Sequence, residues 1–286
     1  MKKEMIFGVI LSSMAAGTFA QNSSEVFFHK VGEFEVYMLV DSQGPGNAGI
    51  LVGADEAVLK RYIPAGGFFH STNMVLVKGN GKNILIDTGF GKQAVENLKK
   101  MGITPDSIDA VLMTHLHGDH TGGLLKDGKA VFPKAKIYLD KKEYEYFIKT
   151  NPNQGAVDAL AAYGSRVETF EPGELGGKTT ELLPGITPIA AYGHTPGHVI
   201  YLIENHGAKL LIAGDFLHVA LVQFPHPEIS ATYDMEQKAS AAIRRQILEY
   251  AVKNKVPVGG MHMVYPGMGM IEADGNGFKL TPVKLF

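Results

Sequence analysis

The run Thr114-His115-Leu116-His117-Gly118-Asp119-His120-Thr121-Gly122-Gly123 sets three imidazoles and a carboxylate within six residues. Imidazole nitrogen and carboxylate oxygen are ordinary ligands for zinc and related divalent ions, and packing gives no reason to crowd them so densely. A chain carrying this run is constrained to deliver it to a metal site. The preceding residues Ile108 to Thr114 read as a short buried strand, and Asp119 to Leu125 as the turn into a helix. In the extended connection, side chains two apart point the same way, so His115 and His117 close on one ion while Asp119 and His120 face a second.

Further donors lie in three distant places. Tyr192-Gly193-His194-Thr195-Pro196-Gly197-His198 is a Gly/Pro-punctuated turn with two histidines, Leu210 to Asp215 is a buried strand ending in a carboxylate, and Gly259-Gly260-Met261-His262 resembles another strand ending in a histidine. A strand-end histidine taken alone is more often hydrogen-bonded than ligating, and it is the set that points to a metal centre. A proline-containing turn does not readily aim both of its histidines at one ion.

These segments, together with Leu85-Ile86-Asp87-Thr88-Gly89, resemble the metallo-β-lactamase superfamily in order and spacing over residues 70–286. The resemblance implies that His115, His117 and His198 hold one metal, that Asp119, His120 and His262 hold the other, and that Asp215 bridges both; with His198 as the ligand of its turn, His194 is read as structural. It makes Asp87 a carboxylate that orients a ligand histidine from behind. It also implies a four-layer αββα sandwich of the α/β (α+β) class, with two divalent ions, zinc first and manganese, iron or cobalt as alternatives. Within the superfamily the chain is most similar to secreted methyl parathion hydrolase-like and lactonase-like enzymes, through Phe132 to Tyr138, Val222-Gln223-Phe224, Tyr265 to Gly269 and Gly275 to Phe278.

Composition bounds the reading. With 286 residues, 45% hydrophobic and 20% charged, the chain fits one globular domain, and a net charge of −2 gives no basic excess to attract nucleic acid. There is no cysteine, which excludes disulfides and every cysteine-ligated metal arrangement. Met1-Lys2-Lys3, the mostly apolar stretch from Met5 to Ala16 and the small residues of Thr18-Phe19-Ala20 read as a signal peptide, residues 1–20, cleaved after Ala20. A periplasmic or secreted domain over residues 21–286 follows, with no stable membrane insertion and with a homodimer as an allowed assembly.

Gly81 to Asp87 and Gly207 to Asp215 form a faint internal repeat, each a turn, a buried strand and an acidic end. Tyr62, Phe68 and Phe69 flank Gly66-Gly67 in what reads as a loop before the first core strand, where Phe68 and Phe69 would wall a substrate pocket as a lid, with His218 facing the same pocket. His29, His70, His206 and His226 have no partners in sequence and are read as ordinary surface or core residues. A water shared by two divalent ions loses a proton near neutral pH, so hydrolysis is the natural reaction, with Asp119 and Asp215 as its carboxylates. The expected activity is cleavage of small-molecule lactones, aryl esters or phosphotriesters. A metallo-β-lactamase and a non-catalytic metal-binding exported protein are the alternatives.

Overall fold

The computed structural model describes residues 26–282; the segment read as an export signal, with its cleavage point after Ala20, lies outside them. Strands are numbered here for the two large sheets only. The first contains β1 (Val26–Val31), β2 (Phe34–Asn47), β3 (Gly67–Gly79), β4 (Lys82–Ile86), β5 (Ala110–Leu112), β6 (Lys136–Asp140) and β7 (Val167–Phe170), side by side in chain order. The second contains β8 (Ile186–Ala190), β9 (Val199–Asn205), β10 (Ala208–Ile212), β11 (Val258–Gly259), β12 (Met268–Asp274) and β13 (Gly277–Pro282), again in chain order.

Period-2 alternation dictates how the sheets stack. Val36, Met38, Val75, Val77, Ile84 and Ile86 face inward and meet Val199, Tyr201, Ile203, Leu210 and Ile212 of the second sheet. Their neighbours Leu39, Met74, Leu76 and Leu85 point the other way and pack with Ala94 and Leu98 of the helix Ala94–Lys100 and with Ala156, Ala159 and Leu160 of the helix Gln154–Ala161. On the far side, Ile189, Ile200 and Leu211 pack against Ile247, Leu248 and Ala251 of the helix Gln237–Asn254. The result is the expected αββα sandwich. Each fully buried Val, Leu or Ile contributes roughly 1.5–3 kcal/mol, and both faces of both sheets carry them. No helix among the described residues is long and apolar enough to cross a membrane.

The repeat is visible in space. β3 and β4 form one antiparallel hairpin and β9 and β10 another; Ile84 and Ile86 of the first face Leu210 and Ile212 of the second across the inter-sheet core. Each hairpin is followed by an aspartate, Asp87 or Asp215. Strands β4, β5 and β6 run parallel, as do β10 and β11, so their carboxyl ends gather the connections that carry the polar residues. One irregularity shapes this edge: the β2/β3 register slips between Val40 and Ser42, and the intervening Asp41 accepts the N–H groups of Phe90, Gln93 and Ala94 at 2.8, 2.8 and 3.1 Å. That carboxylate caps the helix Ala94–Lys100 and fixes the Phe90 loop beside the site.

Candidate metal centre

His115 and His117 follow β5, and His194 stands in the turn before β9. Thr114 gives its hydroxyl hydrogen to Asp87 at 2.7 Å, so the Thr114 oxygen is free to accept from His115 Nδ1 at 3.0 Å, leaving His115 Nε2 as a lone pair. His194 Nδ1 is fixed in the same manner by Asp234 Oδ1 at 2.9 Å. The exposed lone pairs nevertheless converge: His194 Nε2 lies 3.2 Å from His115 Nε2 and 3.0 Å from His117 Nδ1, and His115 Nε2 lies 3.0 Å from His117 Nδ1. Lone pairs facing each other at this range repel unless a ring proton or a metal ion sits among them. The ligand-to-ligand edge of a tetrahedral zinc site is about 3.4 Å, close to these spacings. Asp215 Oδ2, 3.3 Å from His194 Nε2, completes a group of four.

A second group consists of Asp119, His120, Asp215 and His262. Asp87 Oδ2 takes His120 Nδ1 at 2.7 Å and the Ser71 carbonyl takes His262 Nδ1 at 3.1 Å, so both rings turn Nε2 inward. His120 Nε2 and Asp215 Oδ1 stand 3.1 Å apart, both buried and neither with a hydrogen-bond partner. Orphaned donor atoms of this kind fit a cation. His262 Nε2 lies 3.0 Å from Asp215 Oδ2 and 3.4 Å from Asp119 Oδ2. Asp215 belongs to both groups.

The electrostatics agree with that fit. Burial lowers His115 and His117, and it takes His194 down to about 3, so the three imidazoles of the first group are neutral and ready to ligate at pH 7. In the second group burial also works against charge, but the surrounding carboxylates Asp215, Asp119 and Asp87 overcome it at His120, and Asp215 and Asp119 do so at His262. Burial would raise Asp215, yet His120, His262 and His115 hold it well below the ordinary carboxylate range. Three carboxylates thus demand positive charge in a dry pocket, and divalent ions supply it with the right donor set.

A cavity of about 430 Å³ opens onto the two groups. Its floor is Asp119, Asp215, His117 and His262; its walls include Ile50, Phe68, Phe90 and Tyr233, with His70, Thr72 and His218 between. Phe68, His70 and Thr72 are alternate residues of β3 and so share one face. Gly46 sits opposite Phe68 in the β2/β3 register, and a Cβ there would lie 2.6 Å from the Phe68 ring. The glycine lets that ring fold across the strand and form the wall.

A family model described as the metallo-beta-lactamase superfamily matches residues 67–253. The chain belongs to that superfamily. Among curated relatives in the superfamily comparison, a 7,8-dihydropterin-6-methyl-4-(beta-D-ribofuranosyl)-aminobenzene-5'-phosphate synthase of Methanocaldococcus jannaschii is 33% identical over 223 residues, 71% of each chain. Ribonuclease TTHA0252 of Thermus thermophilus is 28% identical over 188 residues, 61% of this chain, which spans only 42% of the ribonuclease. Among solved structures, AidC, a dizinc quorum-quenching lactonase, superposes with a TM-score of 0.83 at 24% identity, over 92% of this chain and 99% of that one. Hydrolase AbOPH superposes at 0.80 with 26% identity, over 93% of this chain and all (100%) of that one.

Within the metallo-beta-lactamase fold, most of the sequence-expected donors converge: His115, His117, Asp119, His120, Asp215 and His262 all stand in the two groups, with Asp87 behind His120. His198 does not. Its Nδ1 donates to the Ala191 carbonyl at 3.1 Å and its Nε2 accepts the Asp215 N–H at 3.0 Å, so both ring nitrogens are engaged with backbone. His194, read as structural, takes the place expected for His198. The reason is strand geometry: Val199 begins β9 and faces the inter-sheet core, which turns His198 to the opposite face, beneath the Asp215 turn.

Two further expectations change. Phe68 and Phe69 are not in a loop; they lie in β3, paired with Gly46 and Pro45, so residues 67–79 extend the sheet rather than forming a lid. Phe68 and His218 line the cavity, whereas Phe69 alternates to the other face and is 49% exposed. His218 Nε2 lies 3.2 Å from Asp215 Oδ2, and its ring stacks on His262 at 4.9 Å. His70, read as an ordinary residue, lines the pocket; its two-residue spacing from Phe68 is the signal that would have found it. Asp234 had no such signal. It is held at His194 by the fully buried Arg244, whose Nη2 is 3.3 Å away.

Proposed function

We propose that the protein is an exported dinuclear metal-dependent hydrolase of small lactones or aryl esters, with phosphotriesters as the related substrate class. The single observation that carries this reading is the pair of four-residue donor groups sharing Asp215 at the floor of an apolar-walled cavity. His115, His117, His194 and Asp215 would hold one ion, and Asp119, His120, His262 and Asp215 the other. Divalent ions in such a site acidify water and polarise a carbonyl or phosphoryl oxygen.

The chain's own residues do the rest. Ile50, Phe68 and Phe90 bind the apolar part of the substrate and exclude water, which places the scissile group over Asp119 and Asp215. The Asp119 side chain is 23% exposed and reaches the cavity, where its carboxylate accepts the proton released by the attacking water. As the carbonyl–oxygen bond breaks, that proton passes to the leaving oxygen. Asp87 and Asp234 accept the Nδ1 protons of His120 and His194 and so would aim both Nε2 atoms at the bound ions. No lysine or arginine lines the cavity among the described residues, which favours an uncharged small molecule over a polyanionic strand.

The test is a parallel assay of the mature protein, loaded with zinc or manganese, against an acyl homoserine lactone, dihydrocoumarin, an aryl ester, a phosphotriester and a chromogenic cephalosporin. Turnover of lactone or aryl ester with about two ions per chain, abolished in Asp215→Ala, is the expected result. Fast turnover of the cephalosporin alone, or one ion per chain with Asp215→Ala fully active, would refute it.

A further inference from the structure

The three histidines of the first donor group come from two separate loops. His115 and His117 flank Leu116 on one; His194 leads into Thr195 and Gly197 on the other. Glu143 stands between them in the short helix Lys141–Tyr144, fully buried. One carboxylate oxygen accepts the Leu116 N–H at 2.8 Å, and the other accepts the Thr195 hydroxyl at 2.8 Å and the Gly197 N–H at 2.9 Å. The helix start is itself fixed: Asp140 Oδ1 caps the Glu143 N–H at 3.1 Å, and Asp140 Oδ2 accepts the Tyr192 hydroxyl at 3.1 Å. A Cβ on Gly197 would collide with the Glu143 backbone, so turn and helix are pressed together.

A buried carboxylate is a poor way to gain stability, since well-packed apolar residues do as well or better. Its three bonds here serve geometry. They tie the backbone beside His115 and His117 to the backbone beside His194, and Glu143 bonds to none of the residues behind the second group, where His120 rests on Asp87 and His262 on the Ser71 carbonyl. We infer that Glu143 is a positioning residue for one half of the centre, setting the distance between the His115/His117 loop and His194 and hence the metal affinity of that half alone. The inference rests on the two-ion reading above.

The experiment is a zinc titration of the full protein against a chromophoric chelator, with wild type, Glu143→Gln, Thr195→Val and His194→Ala measured together. In Glu143→Gln the side-chain volume is kept, but an amide NH₂ must face either the Leu116 or the Gly197 N–H, donor against donor. One zinc is expected to keep its wild-type affinity while the other weakens by roughly tenfold or more, the range for groups that orient ligands. Thr195→Val, which removes one donor and leaves the carboxylate, weakens the same zinc by less. Adding Glu143→Gln to His194→Ala causes no further loss, because the affected half is already gone. Wild-type affinity at both sites in both variants, or equal weakening of both, would overturn the inference. Fewer than two zinc ions in wild type would instead overturn the two-ion reading, and the wild-type arm shows this by itself.

Discussion

Replacing His198 and His194 separately by alanine should produce opposite defects, and the contrast follows from where each ring nitrogen points. His198 is 1% exposed and holds two backbone groups, the Ala191 carbonyl at 3.1 Å and the Asp215 N–H at 3.0 Å. Its removal leaves both buried without partners, at about 1–3 kcal/mol each, and opens a void beneath Gly214. Together these amount to roughly 3–6 kcal/mol, which for a chain of this size lowers Tm by about 5–10 °C. His194→Ala loses one hydrogen bond inside the protein, to Asp234, whose other oxygen still accepts the Ala231 N–H at 3.0 Å and faces Arg244 at 3.3 Å. That costs about 1–3 kcal/mol, but it removes the nitrogen on which His115 and His117 converge. Thermal unfolding in chelator and zinc content at saturating zinc separate the two effects. His198→Ala should be the less stable protein and keep both ions; His194→Ala should be the more stable and keep one. If His198→Ala loses an ion at saturating zinc while His194→Ala retains two, the assignment of the turn is wrong.

Two other perturbations have defined outcomes. Gly46→Ala places a methyl against the Phe68 ring and pushes it into the cavity, so KM for an aryl ester should rise roughly tenfold with kcat little changed, the mark of lost uniform binding; a fall in kcat at constant KM would show that the wall acts on the chemical step. Burial raises Glu143 to about 7 despite the N–H and hydroxyl groups it accepts. A carboxyl raised on folding contributes stability that is full below its unfolded value of about 4.5 and is lost as pH climbs through about 7, here on the order of 3 kcal/mol. Chemical denaturation of the metal-free protein should therefore show falling stability between those limits, and Glu143→Gln, which does not ionise, should flatten that part of the curve. An unchanged slope in the variant would mean that another group titrates there.

Much of this fold is written in alternation. Val75 and Val77 share one face of the sheet and Met74 and Leu76 the other, as Ile84 and Ile86 do against Leu85, so alternation groups the residues of each face, while tertiary packing decides which face meets the second sheet. The histidine run is as legible, because ligand chemistry is local and spacing along an extended connection decides which rings can meet. Where reading fails, the deciding force comes from elsewhere in the chain. Phe68 and Phe69 follow two glycines and look like a loop, yet Gly46 and Pro45 on β2 offer register partners, and pairing wins over local propensity. Asp234, Arg244 and Glu143 are single charged residues far along the sequence from the histidines they serve, and no period or motif joins them.

The turn from His194 to His198 shows the limit most sharply. The physical premise, that a proline turn aims only one of its histidines at a given ion, holds in the structure. What it could not supply was the choice, which the following strand makes. Val199, Tyr201 and Ile203 must fill the inter-sheet core, so His198, next to Val199, is forced to the opposite face, and there it meets the backbone of the Gly214 turn. Gly214 has φ +52, and a Cβ on it would lie 2.5 Å from His198 Nε2, so the glycine and the imidazole fit only each other. The second histidine of the turn thereby fixes the N–H of Asp215, the residue common to both donor groups. A histidine that touches no ion still governs where the shared carboxylate stands, and a reading that scores residues only as ligand or bystander has no place for it.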